Sequence, residues 1–210
     1  MSRRPRLAAA LALLLIGAAC LTGCSKATQP GPPGDDTGEH LLAFVTDRTT
    51  PGDDDVALYD LDVLGFHSVA GLNSTAIEAD PCVSDDGSLI AFASTRPGGA
   101  GGYDVYIYDR LYQTLLSKHG MNSATDETGP AFTHDSARLV FARIVDGRYR
   151  VKMYEPAGDT LVALPGLDLA GAWSDWQPSP NLHGDRIAFT SNRAGRAHVY
   201  VWDRGIGVLN

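Results

Sequence analysis

Basic residues are scarce in this sequence: 17 lysines and arginines stand against 25 acidic residues, and the formal net charge is −8. Because a phosphate-backbone partner requires clustered positive charge, this balance argues against nucleic acid as a partner. Familiar enzyme signatures are also missing, since there is no G-x-S-x-G, H-E-x-x-H, Walker A or C-x-x-C sequence. The six histidines are scattered without the spacing of metal ligands.

Cysteine is almost absent as well, with three residues in 210. Cys20 and Cys24 both lie in the N-terminal segment, which leaves only Cys82 in the remainder of the chain. A disulfide framework within one molecule is therefore not expected, even in an oxidising compartment.

The N-terminal segment has the features of an export signal. Arg3, Arg4 and Arg6 form a basic start, and an apolar stretch over 7–19 follows. That stretch is too short to span a bilayer comfortably as a permanent helix. We therefore exclude the segment from the fold.

The exit of this segment, Leu21-Thr22-Gly23-Cys24, resembles the lipobox of bacterial lipoproteins. The resemblance implies a signal peptide over 1–23, lipidation of Cys24, and a protein held in the membrane by its acyl chains. Ser25 follows where an inner-membrane retention signal would place aspartate, so we expect an outer-membrane lipoprotein facing the periplasm or the cell surface. The alternative is an ordinary secretory signal. Residues 24–38 are rich in proline and glycine and predict an extended tether.

One phrase recurs four times between 39 and 210. Apolar strands end at Phe44, Phe92, Phe141 and Phe189, and second strands begin at Val56, Val105, Val151 and Val199. Both runs alternate with a period of two and are separated by polar turns, so each pair predicts an antiparallel hairpin. Short apolar runs follow each pair, and segments led by Pro81, Pro130 and Pro178 precede the last three.

Four strands per unit of about 48 residues indicate the blades of an all-β propeller. We expect four blades, over about 39–77, 78–126, 127–174 and 175–210, of which the first lacks its inner strand. The phrase "PCVSDDGSLIAFASTR", followed by "YDVYIYDR", resembles the repeats of the TolB-like β-propeller proteins. The resemblance implies their fold and contact with partners of the cell envelope. The chain departs from the usual pattern by replacing its tryptophan with Val83, Phe132 and Pro180.

The number of blades leaves three arrangements open. Four blades close into a tight ring, or an open arc pairs with another subunit as a homo-oligomer, since exposed sheet edges promote association. The third arrangement is a truncated reading frame.

An acid stands three residues before each proline of the later units, at Glu78, Glu127 and Asp175, and Asp80 adds another carboxylate. Inner strands line the channel of a propeller. We therefore expect these four acids to form a negative funnel that takes a basic peptide or a Ca²⁺ ion. Alternatively, they cap turns or tie neighbouring blades together.

Two further sets of residues have alternative interpretations. Trp173 and Trp176 either stack on a ligand such as a sugar at the mouth of the channel, or pack between blades. Arg48, Arg96, Arg143 and Arg193 recur just after the first strand of each unit and are interpreted as braces.

The sequence thus favours a lipid-anchored, non-enzymatic module that binds an envelope protein or peptide. The alternative is a component of a carbohydrate-active or peptidase-related propeller enzyme. A lyase of that kind would need histidines and a metal at the channel, where this sequence has acids, and a peptidase would need a catalytic domain besides the propeller.

Overall fold

The computed structural model describes residues 40–48, 51–118 and 120–209. The predicted signal peptide, the lipidated Cys24 and the tether lie outside these residues. The described residues contain strands and turns and no helix, and thus none that could cross a membrane. The strands are β1 (Leu41–Thr46), β2 (Asp55–Asp60), β3 (Gly65–His67), β4 (Glu78–Val83), β5 (Leu89–Ser94), β6 (Asp104–Asp109), β7 (Thr114–Leu115), β8 (Glu127–Phe132), β9 (Leu139–Val145), β10 (Arg148–Glu155), β11 (Thr160–Val162), β12 (Asp175–Pro180), β13 (Arg186–Ser191), β14 (His198–Asp203) and β15 (Gly207–Leu209).

These strands form four antiparallel sheets in chain order, which we number sheet 1 to sheet 4. Sheet 1 has the order β1-β2-β3 in the described residues, and the others have the orders β4-β5-β6-β7, β8-β9-β10-β11 and β12-β13-β14-β15. The first strands of sheets 2, 3 and 4 are the inner strands, and β8 contacts both β4 and β12. The predicted fold, a partial β-propeller, is confirmed.

The hairpins follow from local sequence. Asp146 and Gly147 both have positive φ, 51° and 71°, which is the geometry of a two-residue turn between twisted antiparallel strands. β9 and β10 pair from this turn, beginning with Val145 opposite Arg148. The turn therefore sets the register that places alternate residues on opposite faces of sheet 3.

The two apolar sets of each unit lie on opposite faces of its sheet. In sheet 2, Ile90, Phe92 and Tyr108 pack toward sheet 1, whereas Val105 and Ile107 pack toward sheet 3. All five side chains are fully buried. Each such side chain contributes about 1.5–3 kcal/mol of hydrophobic stabilisation, so a sheet with two apolar faces needs a neighbour on both sides.

Three apolar clusters hold successive sheets together. Leu72, Met121 and Leu167, which lie in the connections between sheets, fill one cluster each. The last cluster contains the largest fully buried side chain, Trp202, whose indole Nε1 donates a hydrogen bond to the carbonyl of Pro165 at 2.8 Å. The core is therefore a row of junctions between sheets.

Candidate functional site at the propeller axis

The three repeated acids stand at the first position of the inner strands, and their side chains are fully buried. Each carboxylate pairs with an arginine: Glu78 with Arg96 at 2.9 Å, Glu127 with Arg143 at 2.8 Å, and Asp175 with Arg193 at 2.9 Å. Burying a charge is costly unless an opposite charge and hydrogen bonds compensate for the lost water. Arg96, Arg143 and Arg193 therefore act as braces within sheets 2, 3 and 4. Arg48 instead lies over the ring of Phe66, at 5.9 Å.

Serine hydroxyls complete two of these pairs. Ser74 donates to Glu78 at 2.6 Å and Ser123 donates to Glu127 at 2.5 Å, each from four residues upstream. The guanidinium of Arg96 also donates to the carbonyl of Leu72 at 2.7 Å. The carboxylates thus fasten the connection between two sheets to the inner strand that follows it. The structure does not place these acids on the open surface of the axis, and their binding of a ligand stays a prediction.

Trp173 and Trp176, the two candidates for stacking on a ligand, lie in different surroundings. Trp173 donates from Nε1 to Asp175 at 3.3 Å, and its ring lies 5.9 Å from the guanidinium of Arg150 and 5.4 Å from that of Arg193. Trp173 therefore packs between charged groups of sheets 3 and 4. Trp176 lies on the inner strand of sheet 4, opposite Thr190, and is half-buried.

A β-bulge follows each buried acid and turns the chain at the axis. Asp80, Gly129 and Gln177 stand two residues after the acids and adopt left-handed conformations, with φ of 50°, 61° and 52°. The pairing of each inner strand is interrupted at this point. Because a bulge redirects the side chain that it carries, this position differs in orientation from the rest of the strand.

Asp80 is the one of the four predicted acids that forms no ion pair with any residue that the structure describes. Its Oδ2 accepts a hydrogen bond from the backbone N–H of Gly129 at 3.1 Å, which links the inner strands of sheets 2 and 3. Burial raises the pKa of Asp80, and the hydrogen bond from Gly129 opposes this shift only in part. Within the described residues, no lysine, arginine or histidine forms an ion pair with Asp80, Asp54 or Asp126.

Asp80, Asp54, Asp126 and Tyr149 all lie close enough to Tyr103 for their charges to act on its phenol. Burial raises the pKa of the Tyr103 phenol, and the negative charges of Asp80, Asp54 and Asp126 raise it further. Asp126 also accepts a hydrogen bond from the backbone N–H of Tyr103 at 3.1 Å. We call Asp54, Asp80, Asp126, Tyr103 and Tyr149 the axial acidic group.

Sequence reasoning found Asp80 but missed the rest of the axial acidic group. Asp54, Tyr103 and Tyr149 each stand two residues before the first valine of a second strand, at Val56, Val105 and Val151. This shared spacing was the available signal, but the change of residue type from aspartate to tyrosine hides it.

No metal cluster supports the predicted Ca²⁺ site, since no three His, Cys, Asp or Glu side chains are grouped as metal ligands in the part of the chain that the structure describes. The Ca²⁺ site stays a prediction. A cleft of about 340 Å³ lies beside β10 and is lined by Arg148, Arg150 and Lys152. Lys152 pairs there with Asp168 at 2.6 Å, and Arg150 donates to the carbonyl of Gly171 at 2.6 Å. Two of the three basic side chains that line the cleft, Lys152 and Arg150, thus already bind partners within the chain.

The chain resembles solved propellers. It superposes on TolB from Acinetobacter baumannii with a TM-score of 0.64 and 21% identity, covering 84% of this chain and 42% of that one. The fold is that of a TolB-like β-propeller. A protein from Agrobacterium tumefaciens assigned as TolB gives a TM-score of 0.63 and 18% identity, covering 80% of this chain and 60% of that one.

More distant similarity extends to peptidase structures. The tricorn protease matches with a TM-score of 0.55 and 13% identity, covering 81% of this chain and 16% of that one. The chain spans 42% and 60% of these first two structures, so the similarity concerns their propeller fold and not the whole proteins. No family model and no curated protein matches the chain.

Proposed function

We propose that this chain is a lipid-anchored β-propeller of the bacterial cell envelope, which binds a basic segment of a protein or peptide at the axial acidic group without catalysing a reaction. The observation that supports this proposal is that Asp80, on an inner strand, has no ion pair among the described residues. The charges of Asp54 and Asp126 act, together with that of Asp80, on the same tyrosine, Tyr103. A lysine or arginine of a partner would supply the charge that the buried acids obtain from their own arginines.

The test measures the binding of a hexalysine peptide to the full chain by calorimetry. Asp80→Asn removes one charge and keeps the shape of the side chain, so we expect at least tenfold weaker binding. Asp146→Asn is the matched control, because Asp146 also has a positive φ, of 51°, but lies at an exposed hairpin turn. Equal losses in both variants would show that only the net charge matters and would contradict the proposal.

Neutralising Glu78, Glu127 and Asp175 together separates the two interpretations of the buried acids. If these acids bind the ligand, the triple variant stays folded and loses hexalysine binding. If they are braces only, the variant loses its folded structure, which circular dichroism would report.

The envelope location is proposed from the lipobox sequence and is tested separately. Cys24→Ser removes the thiol that would carry the lipid, so the variant should no longer incorporate labelled palmitate or sediment with membranes. Cys82→Ser is the matched control and should leave both properties unchanged. A wild-type chain without label would contradict the anchor.

A further inference from the structure

Both ends of the row of sheets present apolar side chains to solvent. The leading face belongs to sheet 1 and consists of Leu42, Phe44, Tyr59 and Phe66; the trailing face belongs to sheet 4 and consists of Trp176, Ala188, Val199 and Val201. Phe66 is 58% exposed and Val199 is 72% exposed. Contiguous apolar surface of this kind marks interaction sites in soluble domains.

The leading face repeats a face that is covered inside the chain. Leu42 and Tyr59 are cross-strand partners, as are Ile90 and Tyr108 at the same positions of sheet 2. In sheet 2 this face is buried against Ala43, Val56 and Leu58 of sheet 1. The leading face therefore has the side chains of a surface that receives a preceding sheet.

The trailing face repeats the opposite surface. Ala188 and Val201 are cross-strand partners, as are Ala91 and Ile107 at the same positions of sheet 2. Ala91 and Ile107 are fully buried against sheet 3. The chain thus carries both halves of the junction that it already forms three times internally.

Trp176 adds a feature that the internal junctions lack. Its positions in the earlier inner strands hold the smaller Ala79 and Thr128, which pair with Ala93 and Ala142. Inside the chain, these pairs of small residues lie beside the inner strand of the next sheet. The indole of Trp176 therefore adds apolar area to the trailing face at a position where the internal junctions have small side chains.

We propose that a second copy of this chain covers both faces, with the trailing face of each copy on the leading face of the other. The two junctions are identical and head-to-tail, and two copies close a ring of eight blades, within the four to eight of known propellers. A second copy is favoured over an unrelated partner because the same chain carries the complementary surface. The proposal does not depend on the ligand of the axial acidic group.

Native mass spectrometry of the full chain released from detergent micelles gives the number of copies directly. We expect two copies for the wild type and one copy for either Val201→Glu on the trailing face or Phe66→Asp on the leading face. The matched controls are Ile206→Glu and Val63→Asp, because these side chains are 71% and 70% exposed and lie outside both faces. Both controls should remain dimeric.

Mixing the two monomeric variants tests the head-to-tail direction. Val201→Glu keeps a sound leading face and Phe66→Asp keeps a sound trailing face, so the mixture should form a heterodimer through one intact junction. Circular dichroism and thermal unfolding show that each variant is folded. A monomeric wild type, variants that still dimerise, a mixture that stays monomeric, or open chains of many copies would each overturn the proposed ring.

Discussion

Arg143 lies directly opposite Glu127 in the pairing of β8 with β9, and its Nε lies 2.8 Å from Glu127 Oε1. Arg96 and Arg193 bind their acids from two residues further along the chain, where Ser94 and Ser191 take the opposite position. Two different sequence spacings thus produce the same buried ion pair. The pair, and not the position of the arginine, is what the repeat preserves within this chain.

The first prediction concerns the cost of breaking this pair. Arg143→Met leaves the carboxylate of Glu127 buried without its counter-charge, and the free energy of unfolding should fall by about 3–5 kcal/mol. Urea denaturation measures the change. The control is Lys152→Met, which removes a partly exposed pair with Asp168 and should cost about 0–1 kcal/mol. Equal costs would refute a special role for burial.

A second prediction concerns how the stability of the fold changes at low pH. Burial opposes the shift, but hydrogen bonds from His183, Thr133 and the backbone N–H of Ala137 lower the pKa of Asp135 to about 2. A carboxylate whose pKa is lowered in the folded protein stabilises the fold at pH values above its ordinary pKa of 3.8. This stabilisation is lost as the pH falls toward about 2.

Asp135→Asn should therefore be less stable than the wild type near neutral pH, and the difference should shrink as the pH falls from about 4 to about 2. Urea denaturation at several pH values measures this difference. A difference that is independent of pH would contradict the assignment. Asp146→Asn, at the exposed hairpin turn, is the control for the change of charge.

A third prediction compares two glycines with similar backbone conformations. Gly184 has φ of 68°, and an added Cβ would lie 2.7 Å from Met153 Cε and 3.0 Å from Thr133 Cγ2. Gly195 has φ of 84° with no atom within 4 Å of an added Cβ. Gly195→Ala should lower the free energy of unfolding by about 1–2 kcal/mol through backbone strain alone. Gly184→Ala should lower it by about 1–3 kcal/mol more, because the added methyl group is also crowded. Thermal unfolding of both variants tests the difference.

The fourth prediction uses one repeat position in two environments. Phe141 is fully buried between sheets 2 and 3, and Phe44 is half-buried on the leading face. Phe141→Ala should destabilise the fold by about 3–5 kcal/mol because it leaves a cavity. Phe44→Ala should cost much less in the Phe66→Asp background, where we expect single copies. Similar losses in denaturation experiments would show that the leading face is covered within one copy.

Sequence periodicity predicted the sheets well because alternation in a strand is a local property. It placed Phe92 and Phe189 in strands with buried rings, and both are at most 1% exposed. It also found the recurring Glu78, Glu127 and Asp175. It could not tell that these carboxylates face arginines and serines, because Arg143 reaches Glu127 from a different spacing than Arg96 and Arg193 use.

The axial acidic group shows a second limit. Asp54 and Asp126 stand in connections with no apolar pattern, and Tyr103 differs in type from Asp54 at the same repeat position. Only the arrangement of the sheets brings the charges of Asp54, Asp80 and Asp126 close enough to Tyr103 to raise the pKa of its phenol. The spacing of residues within one unit does not show which charges meet across sheets.

The sequence by itself determined that this protein is built from repeated β hairpins, because side-chain alternation and turn chemistry act over a few residues. Only the tertiary structure decided, for the residues that it describes, which acids pair with arginines, which acid has no ion pair, and which apolar faces are exposed. Those outcomes depend on contacts between sheets nearly fifty residues apart, where burial and distance set the free energy.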